Sequence, residues 1–90
     1  MSTTLVESFG IAVRRQREAQ GWSQELLAER ADLNRSYVGE IERGRVIPSL
    51  VTIDKLAQAL GLSPHLLLQL GEQVGQSRLA HGINLAAIAC

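Results

Sequence analysis

The segment Ser23-Gln24-Glu25-Leu26-Leu27-Ala28-Glu29-Arg30-Ala31-Asp32-Leu33-Asn34-Arg35-Ser36-Tyr37-Val38-Gly39-Glu40-Ile41-Glu42-Arg43-Gly44 leaves little room for anything but two short helices joined by a tight turn. Ser23 is a natural cap for the first, read as residues 24–31, and Leu27, Ala28 and Ala31 share its inner side. Asp32-Leu33 makes the turn. Asn34 caps the second helix, residues 35–43, whose inner face is Val38 and Ile41, and Gly44 stops it. With Val38 and Ile41 turned inward, Arg35, Ser36, Gly39 and Glu40 face outward. The second helix therefore keeps a polar face free.

The flanking chain reads as the core that holds this pair. A first helix runs from about Thr4 to Gln20. Thr4 and Glu7 have capping-box spacing, Leu5, Phe9 and Val13 repeat every four residues with Arg17 next, and Gly21 stops it. Ser49, after Pro48, caps a fourth helix with the apolar stripe Leu50, Ile53, Leu56, Ala57 and Leu60, ended by Gly61. Ser63-Pro64 places a cap before a proline at the first helical position of a fifth helix, which carries Leu66, Leu67, Leu68 and Leu70 and runs to about Val74. No useful stretch alternates with period two, so no sheet is predicted. The expected fold is all-α: a compact five-helix bundle over residues 1–74. In the tail, residues 75–90, Gly82 interrupts the apolar residues Ile83, Leu85, Ala86, Ala87, Ile88 and Ala89. That tail either forms a short extra helix that packs on this domain or a second subunit, or frays.

Ninety residues suit one domain with one core, and 46% hydrophobic residues speak against disorder. Phe9, Trp22 and Tyr37 are the only aromatic residues, so the core is aliphatic. A net charge of zero counts against simple attraction to a polyanion, and position then matters more than total. Arg35, Arg43 and Arg45 lie in and just after the second motif helix, while Glu25, Glu29 and Asp32 lie on the first and its turn. The expectation is a local positive strip on a balanced surface. A lone cysteine, Cys90, no signal-type N-terminus and no apolar run of about 18 residues point to the cytoplasm, away from any membrane. His65, His81 and Cys90 lack zinc spacing, and the glycines read as scattered helix stops instead of a phosphate loop. No metal, cofactor or catalytic role is expected.

Ser23-Gln24, Leu27-Ala28, Ala31-Asp32-Leu33, Ile41-Glu42-Arg43-Gly44, Pro48-Ser49 and Leu56-Ala57-Gln58-Ala59-Leu60-Gly61 resemble the Cro and lambdoid-repressor (Xre-type) helix-turn-helix family over about residues 9–70. The size and the Arg35-Ser36-Tyr37 helix start are most similar to the small controller proteins of restriction-modification systems. The resemblance implies a lambda-repressor-like DNA-binding fold that lays its second motif helix in the major groove of double-stranded DNA. It also implies an ion pair between Arg17 and Glu42, partly buried and structural. Asp32 departs from the pattern, because that turn position commonly holds glycine. Aspartate tolerates a left-handed backbone better than most residues, so the turn survives.

Arg35 is the first candidate for direct base readout, since a guanidinium at the start of such a helix can donate two hydrogen bonds to guanine O6 and N7; a phosphate contact is the alternative. Ser36 reaches a base or a phosphate. Tyr37 lays its ring edge on a thymine methyl, reaches a phosphate, or packs at the domain edge. Glu40 accepts from cytosine N4 or orients Arg35 or Arg43. Gln24, Arg43 and Arg45 are assigned to phosphates, Gln24 through the position of its helix start over the DNA backbone. Leu66, Leu67, Leu68 and Leu70 offer more apolar surface than one small core requires and are assigned to a dimer interface, with internal packing as the alternative. The function expected is a sequence-specific DNA-binding transcription regulator. It acts as a homodimer on an operator of two half-sites, with no ligand-binding domain and no small-molecule ligand. The rival is an antitoxin-like or other protein-interaction module that uses the C-terminal tail.

Overall fold

In the computed structural model five helices follow in order: α1 (Leu5–Ala19), α2 (Gln24–Ala31), α3 (Arg35–Glu42), α4 (Leu50–Ala59) and α5 (Pro64–Ala89). The structure describes residues 4–89, with side chains over residues 4–78. The helix starts follow local chemistry. Thr4 and Glu7 form the predicted capping box. The side chains of Ser23, Asn34, Ser49 and Ser63 accept from the backbone N–H groups of Leu26, Ser36, Thr52 and Leu66 respectively. Each bond satisfies a donor that the helix itself leaves unpaired.

One core cluster joins Phe9 and Val13 of α1, Leu27, Ala28 and Ala31 of α2, Val38 and Ile41 of α3, Ile53, Leu56 and Ala57 of α4, the cap residue Leu60, and Leu67 of α5. Two residues that sequence periodicity puts in apolar stripes lie outside it. Leu5 is 52% exposed and Leu50 80% exposed. Both occupy the first residue of a helix, where the axis has already passed the edge of the core.

Leu67 corrects a further expectation. The sequence assigns it with Leu66, Leu68 and Leu70 to a subunit interface, yet it is fully buried in its own domain. Consecutive helical residues point about 100° apart, so only one leucine of the 66–68 run can face the core. Leu67 does; Leu68 packs partly against the cluster and Leu66 stays exposed.

The fifth helix also outruns its sequence-based end near Val74, continuing through Gly75 and Gly82 to Ala89. Glycine inside a helix costs only about 1 kcal/mol relative to alanine. Gly71 and Gly75 also let α5 lie close along α1. A Cβ on Gly71 would come within 3.1 Å of the Phe9 Cα, and one on Gly75 within 2.9 Å of the Ser8 Oγ. The side chains of the apolar tail, with His81, and the terminal Cys90 lie outside the described residues.

Candidate nucleic-acid interface

The turn between α2 and α3 depends on Asp32, the one non-glycine with positive φ among the described residues (φ 54°, ψ 50°). The Leu33 N–H donates to the Ala28 carbonyl at 2.8 Å, and the Lys55 ammonium donates to the Asp32 carbonyl at 3.3 Å. Leu33 then packs against the core. From that pivot α3 is held from behind by Val38 and Ile41, both essentially without solvent exposure.

Arg35 and Ser36 stand exposed at the start of α3. Among the described residues no carboxylate lies within ion-pair distance of Arg35 or Arg45. Tyr37 is half-buried against the core, and its hydroxyl lies 3.3 Å from the Thr52 Oγ1. It ties α3 to α4 at the domain edge. Glu40 is half-buried, with its Oε2 3.4 Å from the Arg43 Nη2. Glu25, Glu29 and Asp32 are exposed on α2 and its turn, away from the residues that anchor α3.

Gly39 differs from its sequence-based placement. Its position in the helix is outward, yet it is buried. What covers it is the Arg43 guanidinium, whose Nη1 and Nη2 would lie 3.2 and 3.3 Å from a Cβ there, and the Gln24 Oε1 at 3.5 Å. Arg43 therefore folds back along the outer face of α3 instead of extending beyond the helix end. Sequence spacing carries no signal for this, because side-chain torsions decide it.

Behind this face lies the ion pair that the resemblance implies. Arg17 donates to Glu42 twice, Nε to Oε2 at 2.7 Å and Nη2 to Oε1 at 3.0 Å, and once more from Nη1 to the Trp22 carbonyl at 2.7 Å. Gln24 Nε2 donates to the same Glu42 Oε1 at 3.0 Å. The side-chain amide of Gln24 is thereby fixed, with its carbonyl oxygen toward the Gly39 surface. Hydrogen bonding to the Glu42 carboxylate, outweighing the opposing cost of burial, holds the Arg17 guanidinium above its ordinary pKa. Trp22 covers the core edge with the Arg30 guanidinium 4.8 Å from its ring centre.

Exposed apolar side chains fall on Ile47, Leu50 and Val51 around the start of α4, and on Leu66 of α5. Leu68 and Leu70 are half-buried. Among the described residues no group of three or more His, Cys, Asp or Glu is placed to hold a metal ion, and no helix is long and apolar enough to cross a membrane.

The chain matches the helix-turn-helix family over residues 13–67. It is similar to the control protein C.BamHI of Bacillus amyloliquefaciens, with 46% identity over 57 residues that span 62% of this chain and 70% of that one. It is likewise similar to a hypothetical transcription factor of Neisseria meningitidis serogroup B, with 47% identity over 49 residues, 54% of this chain. The match spans 46% of that relative, less than half its length. Among solved structures, the restriction-modification controller protein C.AhdI from Aeromonas hydrophila superposes with a TM-score of 0.66 at 52% sequence identity, covering 70% of this chain and 94% of that one.

Proposed function

This chain belongs to the Xre-type helix-turn-helix family of DNA-binding transcription regulators, and from that premise we propose that it binds a specific operator of two half-sites as a homodimer. The observation that carries this reading is the division of α3. Val38 and Ile41 seal its inner side, and Arg35 and Ser36 stand free at its start. Arg35 is the base-reading residue, forked to guanine O6 and N7. Ser36 supports it at a neighbouring base or phosphate. Arg45 and the start of α2 at Gln24 take phosphates and set the register of the protein on the duplex. Tyr37 holds α3 against α4 and offers its ring edge to a thymine methyl; Glu40 orients Arg43. The place of work is the compartment that holds the DNA, read from the sequence as the cytoplasm.

Arg35→Ala is the test of this reading. Binding to the preferred duplex is expected to weaken by about 1–3 kcal/mol of discrimination, with the loss confined to one base position. A competition assay against a random duplex measures it. Equal losses on specific and random DNA would remove Arg35 from base readout.

Pairing doubles the few base pairs that one helix of this kind can read. Leu66, Leu68 and Leu70 are the members of the expected set that remain available, and Ile47, Leu50 and Val51 add exposed apolar surface. That surface supports a symmetric dimer with half-sites one helical turn apart, roughly 34–36 Å. In this reading occupancy follows protein concentration through dimerisation. Sedimentation at tens of micromolar is expected to give the mass of two chains; a monomer there would contradict the proposal.

A further inference from the structure

We infer that Arg43 is a second base-reading residue, presented to a G·C pair on the face of α3 and positioned there by Glu40, instead of the phosphate clamp that its place at the helix end suggests. The inference rests on the DNA-binding reading above.

The geometry has three parts. First, the Arg43 guanidinium lies over Gly39, one turn along the same stripe as Arg35. Residues 35 and 39 are four apart, about 6 Å along the axis at roughly 1.5 Å per residue. That is about two base steps of duplex at roughly 3.4 Å each. Second, glycine lets the guanidinium lie close against α3: a Cβ at position 39 would stand 3.2 and 3.3 Å from Nη1 and Nη2 and press the group outward by a few tenths of an ångström. Third, Glu40 lies 3.4 Å away, and its Oε2 is closed off from solvent with no hydrogen-bond donor of its own. Within 4 Å its charge is met by Arg43 alone among the described residues.

The carboxylate decides between the two kinds of target. A phosphate that approached Arg43 would also approach Glu40, and like charges at that range repel. A guanine edge is neutral and offers O6 and N7 in the plane that a guanidinium fork matches. The ion pair therefore favours a base and disfavours the backbone. Gln24 closes the other side of the seat with its amide carbonyl, which Glu42 fixes through the Nε2 bond.

The experiment selects bound sequences from a randomised duplex library with the full chain, with Arg43→Lys and with Glu40→Gln. Lysine keeps the charge and loses the fork, so a phosphate contact survives it and bidentate readout does not. The expected result for Arg43→Lys is loss of preference at one G·C pair, by about tenfold, while the position read by Arg35 is unchanged. Glu40→Gln is expected to flatten that same pair, because it releases Arg43 without removing it. An unchanged preference profile in Arg43→Lys would overturn the inference, as would a Glu40→Gln loss at a different pair. Absence of any selection by the unsubstituted protein would sink the DNA-binding reading itself and this inference with it. Melting curves of both variants are expected to match the parent, since each residue is exposed or half-exposed.

Discussion

Glu42→Ala is expected to cost about 3–5 kcal/mol, as removal of one partner from a buried ion pair commonly does, a large share of the about 5–15 kcal/mol that holds a domain folded. The Glu42 side chain is 2% exposed and that of Arg17 11%. Three donors converge on this one carboxylate: Nε and Nη2 of Arg17 and Nε2 of Gln24. Without it the guanidinium keeps its bond to the Trp22 carbonyl but loses its counter-charge in a partly buried site. Urea denaturation followed by circular dichroism measures the change. An Ala variant within about 1 kcal/mol of the parent would show that the pair is no more than a surface bridge. Replacing both partners with apolar residues of similar volume is expected to recover most of the loss, because desolvation of the two charges is then avoided.

The raised pKa of Arg17 sets the sign of its pH dependence. A group whose pKa rises on folding stabilises fully below its ordinary value and loses that contribution only as pH climbs through the folded value. For arginine that window lies far above neutrality, so the Arg17 contribution is constant through neutral and moderately alkaline solution. The pair acts as a permanent rivet between α1 and the end of α3. Its second service is to fix Gln24, which lines the seat of Arg43. Stability and the placement of Gln24 beside the outer face of α3 therefore share one carboxylate.

What could be read from the sequence divides along the range of the interaction. Helix starts were legible because a Ser, Thr or Asn cap bonds an N–H two or three residues away, within its own segment. The turn at Asp32 and the helix stops at Gly21, Gly44 and Gly61 were legible for the same reason, as positive φ is a local demand. The inward placement of Val38 and Ile41 followed from helical period alone. The leucines of α5 were not separable: a run at 66–68 has no period, and only the position of the core identifies Leu67. The sequence places Arg43 after the outer face of α3 with no signal for its direction, which is set in space beside Gly39 and Glu40. Glycine inside a helix was the least legible. Gly10, Gly39, Gly71 and Gly75 are not stops but points where another group comes close, and nothing local announces that.

Gly10 shows the consequence most sharply. It sits inside α1, where a residue scale predicts that alanine should stabilise the helix by about 1 kcal/mol. In the fold α1 crosses the end of α3 at this point. A Cβ on residue 10 would fall on the Ile41 carbonyl oxygen and lie 2.9 Å from that of Glu42. Both obstacles are backbone: the Ile41 carbonyl accepts from the Gly44 N–H, and Glu42 is held through its pair with Arg17. Neither can turn aside as a side chain would, so the two helices must separate. Overpacking of this kind costs about 1–3 kcal/mol and occasionally more, and with backbone on both sides Gly10→Ala belongs at or beyond the upper end. The expected net loss is about 2 kcal/mol or more after the gain in helix propensity. Gly39→Ala is the matched control, with the same gain in propensity in the middle of a helix. Its new methyl crowds the mobile end of Arg43, which can withdraw by a few tenths of an ångström, and touches the Gln24 Oε1 at an ordinary 3.5 Å. Thermal melts are therefore expected to separate the two, down for Gly10→Ala and level or up for Gly39→Ala. Parent-like stability in Gly10→Ala would mean that α1 and α3 are not in contact at this crossing, and α3 would then be presented at a different angle from the one described above.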